Sequence, residues 1–450
     1  MAGSFSLWNF FGARIYSRFP LLVVMLACSA PLHAKLTLEQ AVTLALDSDP
    51  WLLGSELRES ALRAESTAAG TLPDPVVSVG FANLPTDSWD FDQEAMTQFK
   101  VGVVQQFPRG DSRQLQRRRL EILGSEHPYQ RADRRARLAV DVSRLWLEAF
   151  RARETIRLIE DDRELFEHLV DVAQSSYASA FGNTRQQDLV RAQLELTRLE
   201  DRLATLHERW DMSRSKLWEW LPRDRAGKGE ATLATTLPAV DLHQPQLFTT
   251  GGEVPVQALA TALSAHPAIR SIDRRIDASR TGIELAEQKY RPQWSLNASY
   301  GYREDDPMGD DRADFFSVGV AFDLPLFTSK RQDQQVQSAV ASSEALRTER
   351  SLVLRRMMAG VETQLARLRR LDQRRALYRD RMLEEMHEQA EASLSAYTND
   401  DGNFSEVVRA RIAELNARVE ALDIEIDRRQ TISQLNYFFA GVDASGEDPS

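Results

Sequence analysis

The sequence predicts a mixed α/β membrane protein in which each chain supplies four strands to a shared transmembrane β-barrel and two long helical hairpins to a coiled-coil extension. Three observations carry this expectation: an internal duplication, four strand-length segments with one apolar face, and helical text in heptads. The duplication comes first. Gln40-Ala41-Val42-Thr43-Leu44-Ala45-Leu46 runs on to Pro50, and Gln257-Ala258-Leu259-Ala260-Thr261-Ala262-Leu263 runs on to Pro267, 217 positions later. Val101-Gly102-Val103 and Val318-Gly319-Val320 keep that offset, as do Pro108 and Pro325. Matches in one register across both helical and extended text indicate a duplicated structural unit.

The expected organisation is a leader over 1–34, a first repeat over 35–221, a linker or equatorial strap over 222–254, a second repeat over 255–440 and a disordered polar tail over 441–450. Arg14 and Arg18 precede the apolar run Leu21 to Ala27, and small residues close the segment at Ala34, which is the pattern of an export signal. Cleavage there removes two arginines from a chain of net charge −11 and leaves −13, a poor match to nucleic acid. Cys28, the only cysteine, lies inside that leader, where Met25-Leu26-Ala27 fits a lipidation signal poorly, so disulfides and Cys-ligated metals drop out together. No run of 18 apolar residues exists, which excludes a helical membrane span.

Strands are expected over about 75–85, 96–108, 292–303 and 314–327, because apolar and small or polar residues alternate in each. Val77, Val79 and Phe81 alternate with Ser78 and Gly80. Trp294, Leu296, Ala298, Tyr300 and Tyr302 alternate with Ser295, Asn297, Ser299 and Gly301. Such strands have one greasy and one wet face; in a soluble sandwich the greasy face points into a core, while on an exported protein it suits the lipid around a barrel. Lys100 and Asp323 fall on the wet faces and are the lumen-facing candidates. Four strands cannot close a barrel, and an open edge in lipid leaves backbone groups unpaired. Two chains would give an interior filled by side chains, whereas three give 12 strands and room for a lumen.

The remaining text is helical. Leu138, Val142, Leu145, Ala149, Ala152, Ile156 and Ile159 form a heptad stripe that continues, after Arg163, through Phe166, Val170, Ala173 and Tyr177. Leu189 to Trp220 and Val408 to Ile426 repeat the spacing, which predicts coiled-coil packing. A helix from about Ser112 to Ala180, interrupted near Gly124 and Pro128, would run roughly 100 Å. Gly182-Asn183 and Gly402-Asn403 break this text and are the expected hairpin tips.

This arrangement resembles the TolC-type outer-membrane efflux channels. The residues that carry the resemblance are Leu36-Thr37-Leu38-Glu39-Gln40-Ala41, Asp49-Pro50, Leu72-Pro73-Asp74-Pro75, Tyr290-Arg291-Pro292 and Asp188-Leu189-Val190-Arg191-Ala192-Gln193. Leu84-Pro85-Thr86-Asp87 and Phe107-Pro108-Arg109-Gly110-Asp111 are similar to the heavy-metal branch, which implies metal cations as cargo. The family implies a homotrimer in outer-membrane lipid. It also implies docking to a periplasmic adaptor (membrane fusion) protein and an inner-membrane resistance-nodulation-division pump. By motif position it implies Asp188 and Glu406 as the aperture carboxylates and Tyr397 as a latch, although Phe404 and Arg409 depart from the usual text of the second tip.

No phosphate loop, dinucleotide fingerprint or nucleophile motif occurs, so neither an enzymatic site nor a cofactor is expected. The histidines His127, His168, His207, His243, His266 and His387 lack metal-ligand spacing and read as surface residues. Two alternatives stay open: the outer-membrane duct of a type I protein secretion system, and a periplasmic coiled-coil adaptor, which should lack the strands.

Overall fold

The computed structural model describes residues 35–178, 186–221, 233–243, 255–399 and 403–441. The leader, the tip glycines Gly182 and Gly402, most of the 222–254 linker and the tail from 442 lie outside the described residues.

The first repeat opens with α1 (Leu38–Ser48), whose start is fixed by a capping box between Thr37 and Gln40. Then comes α2 (Pro50–Ala69), with Pro50 in its first turn and the Asp49 carboxylate accepting from the Trp51 N–H. Strands β1 (Val76–Ala82) and β2 (Gln98–Phe107) follow, then α3 (Ser112–Gly124), α4 (His127–Ala178) and α5 (Gln186–Trp218). The second repeat repeats that order with α6 (Val256–Ser264), α7 (Pro267–Glu287), β3 (Trp294–Tyr302), β4 (Phe315–Phe322), α8 (Gln332–Leu377), α9 (Leu383–Thr398) and α10 (Phe404–Phe438). A π-turn over Tyr378–Met382 joins α8 to α9, and α8 runs unbroken through the positions equivalent to the break between α3 and α4. Pro128 sits in the first turn of α4, where its missing N–H costs nothing.

The sheet order is β1-β2-β3-β4, antiparallel throughout, and the β2–β3 pairing joins the two repeats from Phe99↔Tyr302 to Phe107↔Trp294. Two strands are shorter than the alternation suggests. β1 stops at Ala82 because Asn83 turns into the left-handed region (φ 56°), donating from its side chain to the Met96 carbonyl and accepting from Thr97 Oγ1. β4 stops at Phe322, since Pro325 cannot donate to a ladder and the chain turns at Leu324–Leu326.

The helical body has three core clusters strung along its length. One gathers α1 and α4 around Trp146, whose indole N–H donates to the Leu36 carbonyl. The second packs α4, α5 and α10 around Ile159, Phe166, Leu203 and Leu415, and the third packs α6, α7, α8 and α10 around Leu263, Val361 and Phe439. The α4 stripe is buried from Leu138 to Ile159, while Arg163, its break, is exposed and paired with Glu167 at 2.7 Å. Residues 233–243 cross this body: Leu233 bridges Leu36, Arg153 donates to the Leu233 and Ala234 carbonyls, and Asn436 donates to the Asp241 carbonyl.

Two histidines are not surface residues. His127 is buried with Nδ1 3.1 Å from Ser55 Oγ, and His266 is fully buried as the N-cap of α7. His266 Nδ1 accepts from the Ala268 N–H at 3.1 Å, and its Nε2 lies 2.9 Å from the Tyr437 carbonyl, which makes the neutral Nε2–H tautomer the one that fits. Tyr437 in turn donates to Asp133 and accepts from Arg137, and burial pushes its hydroxyl up to about 12. His266 occupies the repeat position of Asp49, so two different cap chemistries serve one geometry.

Burial holds the pKa of both buried histidines below 6.5. The unfolded chain therefore takes up protons as pH falls through that value while the folded chain does not, so stability is lost on acidification toward the folded pKa. His387, raised by its hydrogen bond to Glu414, acts in the opposite sense. A titrating His266 contributes at most about 1.4 kcal/mol per pH unit. His266→Asn keeps an N-cap oxygen without a titrating proton. Its melting temperature should fall less between pH 7.5 and pH 5 than that of the parent, with His127 supplying the remaining slope. An unchanged slope would exclude His266 as a source of acid sensitivity.

Candidate functional site: strand faces, collar and hairpin ends

Cross-strand register sorts the sheet into two faces. Val77, Val103, Ala298 and Val318 stand in one row, and Val79, Val101, Tyr300 and Phe316 in the next. Aromatic rows bound this face at both ends: Phe81, Phe99 and Tyr302 near the connections 83–97 and 303–314, and Phe107, Trp294 and Phe322 near the helices. The end rows are eight residues apart along β3, about 26 Å at strand rise, close to the height of a lipid-facing band between aromatic girdles. No described residue covers this face: Val79 is 64% exposed, Phe316 72% and Val320 60%.

The opposite face is small and polar. Ser78, Gly102, Ser299 and Ser317 form one row, and Gly80, Lys100, Gly301 and Phe315 the next. Lys100 is exposed between two glycines, which leave its ammonium room, and it is the charged residue of this face within the strands. Asp323 lies one residue beyond β4 and is held at the strand base. It accepts from the Gln293 N–H at 2.7 Å and pairs with Arg109, which together depress its pKa.

That pairing belongs to a collar where sheet meets helix. Arg109 also donates to the Arg291 carbonyl at 2.7 Å, the Asp111 N–H donates to Gln288 Oε1, and Arg291 pairs with Asp111 at 3.3 Å. Gly110 makes the close approach possible: its φ is +43°, and a Cβ there would collide with Gln288 Oε1 and Arg291. The sequence signals this collar only as the Pro-Arg-Gly-Asp break in alternation, and nothing in the text names Asp323 as its partner. At the other end of the strands, Arg303 donates to the Ala95 carbonyl and Arg312 to that of Asp92, so arginines tie together the connections of both repeats. Arg312 also pairs with Asp306, whose pKa is lowered by the Met308 N–H and by that arginine. Among the described residues, no group of three His, Cys, Asp or Glu side chains is placed to hold a metal ion.

At the hairpin ends, Asp188 lies in the first turn of α5, and Glu406 is exposed in the first turn of α10, where the helix dipole favours a carboxylate. Asn403 caps α10 by accepting from the Ser405 N–H. Tyr397, in the last turn of α9, meets the buried Phe404 ring edge-on at 5.5 Å. The structure thus brings Tyr397 and Phe404 together as packing partners, while Glu406 faces outward.

A family model described as outer membrane efflux protein matches residues 258–438, the second repeat. No curated protein sequence matches the chain. The outer-membrane channel OprN superposes with a TM-score of 0.73 at 16% identity, covering 90% of each chain. The Campylobacter jejuni CmeC outer membrane channel gives 0.73 at 14%, covering 90% of this chain and 85% of that one. CusC gives 0.70 at 14%, covering 90% and 92%. At such identities the likeness is one of fold: long hairpins and four antiparallel strands per chain.

Gly110→Ala should destabilise the collar by about 1–3 kcal/mol, because strain at positive φ adds to the displacement of Gln288 and Arg291. Thermal melting of the purified protein checks this. Arg109→Ala, which keeps the backbone free, should soften the same transition by less.

Proposed function

We propose that this chain is an outer-membrane efflux channel protein with a periplasmic helical extension, the exit duct of a tripartite efflux system, and that its cargo is metal cations. The observation that carries the duct is the two-faced sheet: an uncovered apolar belt edged by aromatics, a small polar face behind it, and unpaired β1 and β4 edges. In lipid those edges must find partners. Three copies supply twelve strands and close a lumen lined by the row of Lys100. The hairpins then continue the tube, meeting a periplasmic adaptor and an inner-membrane resistance-nodulation-division pump at their tips. Such a duct does no chemistry and opens because the adaptor contacts the dilated tip more favourably than the closed one.

Within this proposal Asp188 and Glu406 ring the narrow periplasmic end. Tyr397 couples α9 to α10 through Phe404. The metal cargo rests on the Leu84-Pro85-Thr86-Asp87 and Phe107-Pro108-Arg109-Gly110-Asp111 phrases. OprN, CmeC and CusC are similar enough to one another in score that the fold does not choose among cargoes. A protein secretion duct would share the architecture, whereas a coiled-coil adaptor would have no use for the lipid belt.

Deletion of the gene, followed by growth on graded metals and organic compounds, should give sensitivity to metal cations that the intact chain reverses. Sensitivity confined to organic compounds, or loss of a secreted protein alone, would overturn the metal cargo. A lumen charge is tested separately. Lys100→Glu should shift the reversal potential toward cations in about 0.01 M KCl, where the screening length is about 30 Å, and the shift should vanish near 1 M, where it is about 3 Å. An unchanged reversal potential at low salt would remove Lys100 from the lumen.

A further inference from the structure

The duplication supplies a template for a contact that a single chain cannot make. Inside the chain, the segment after β2 meets the segment before β3 at the collar. By the same topology the segment after β4 meets the segment before β1 of a neighbouring copy. The offset of 217 pairs Arg109 with Leu326, Gly110 with Phe327 and Asp111 with Thr328 on one side of that junction. On the other side it pairs Gln288 with Thr71, Arg291 with Asp74, and Asp323 with Gln106.

Size and charge both change across these pairs. In the internal junction a glycine accepts two long side chains, Gln288 and Arg291, which fill the space a Cβ would take. At the other junction the glycine is replaced by Phe327, and the long side chains by the short Thr71 and Asp74. The ion pairs vanish as well: Leu326 stands in place of Arg109, and Gln106 in place of its partner Asp323. Leu324 is 62% exposed in the isolated chain, Leu326 72% and Phe327 90%. Leu72, beside the facing segment, is 40% exposed, and that segment is pinned by Gln105 donating to the Pro73 carbonyl.

We infer that Phe327, flanked by Leu326, seats each protomer on a second copy of this chain by filling the space above Thr71 and Asp74 of the neighbouring copy, an apolar counterpart of the internal polar collar. This rests on the proposed closed assembly and names the contact that locks it. The exchange of large for small on both sides keeps the junction complementary in volume, and an aromatic ring this exposed is otherwise an aggregation hazard. Burial of such a ring at the centre of a junction gives it hot-spot character.

The test uses the full chain in outer-membrane vesicles. In a Cys28→Ser background, Phe327→Cys with Thr71→Cys should be joined by a short bis-maleimide into a covalent trimer, and neither single variant should be. Phe327→Gly should lower the dissociation temperature of the unheated oligomer on gels by at least about 5 °C. Adding Thr71→Gln and Asp74→Arg, which copies the internal solution, should recover it. A parent that runs as a trimer while the Phe327→Cys, Thr71→Cys double variant gives no cross-link and Phe327→Gly is unchanged overturns this contact and leaves the duct standing. A parent that is not a trimer overturns both.

Discussion

In the proposed outer-membrane setting, backbone hydrogen bonding in a medium without water is the constraint on which the rest of this molecule depends. Inside lipid an unpaired N–H or C=O costs several kcal/mol, so a four-stranded sheet with two free edges is not a viable membrane structure alone. β1 and β4 are those edges here. Everything that makes the chain look unfinished follows: an apolar face that no described residue covers, an exposed Leu-Pro-Leu-Phe segment beside the β4 edge, and a polar face with no interior of its own.

The helical body answers a different requirement, reach. Three separate clusters along α4, α5, α8 and α10 bury the heptad stripes without forming one globular core. Arginines on these helices are paired across neighbours, as Arg151 is with Asp427 and Arg367 with the same carboxylate. Exposed pairs of this kind add little each, and their use is to keep long helices in register. The collar joins the two regimes. There the period of the chain changes from two to 3.6, and Arg109, Asp111, Arg291 and Asp323 absorb the change by tying the ends of β2, β3 and β4 together.

Much of this was legible in the sequence because periodicity reports burial directly. The alternation in Trp294–Tyr302 and the stripe from Leu138 to Ile159 depend only on which face each residue occupies, and the structure places those faces as read. The strand ends were less legible. Ala82 ends β1 because Asn83 adopts a positive φ, which the alternation through Phe81 gives no sign of. The histidines misled for a similar reason: spacing says nothing of three-dimensional burial, and His266 is enclosed by α10 from 171 residues away. Of the candidate site, Lys100 stands in the row of Gly80 and Gly301. Asp323 pairs with Arg109, 214 residues earlier in the chain, a partner the linear text does not name.

By itself, then, the sequence determined the duplication, the two kinds of period and the absence of enzymatic motifs, since each is a property of local order along the chain. Only the tertiary structure decided the strand order, the cross-strand rows that concentrate aromatics at both ends of the apolar face, and the neutralisation of Asp323. It also decided the unequal treatment of two equivalent junctions, one closed by Gly110 within the chain and one left open at Phe327. The physical reason is the same for each. Pairing, burial and charge compensation are set by neighbours hundreds of residues away, and a linear text records only what each residue can do, not which neighbour it meets.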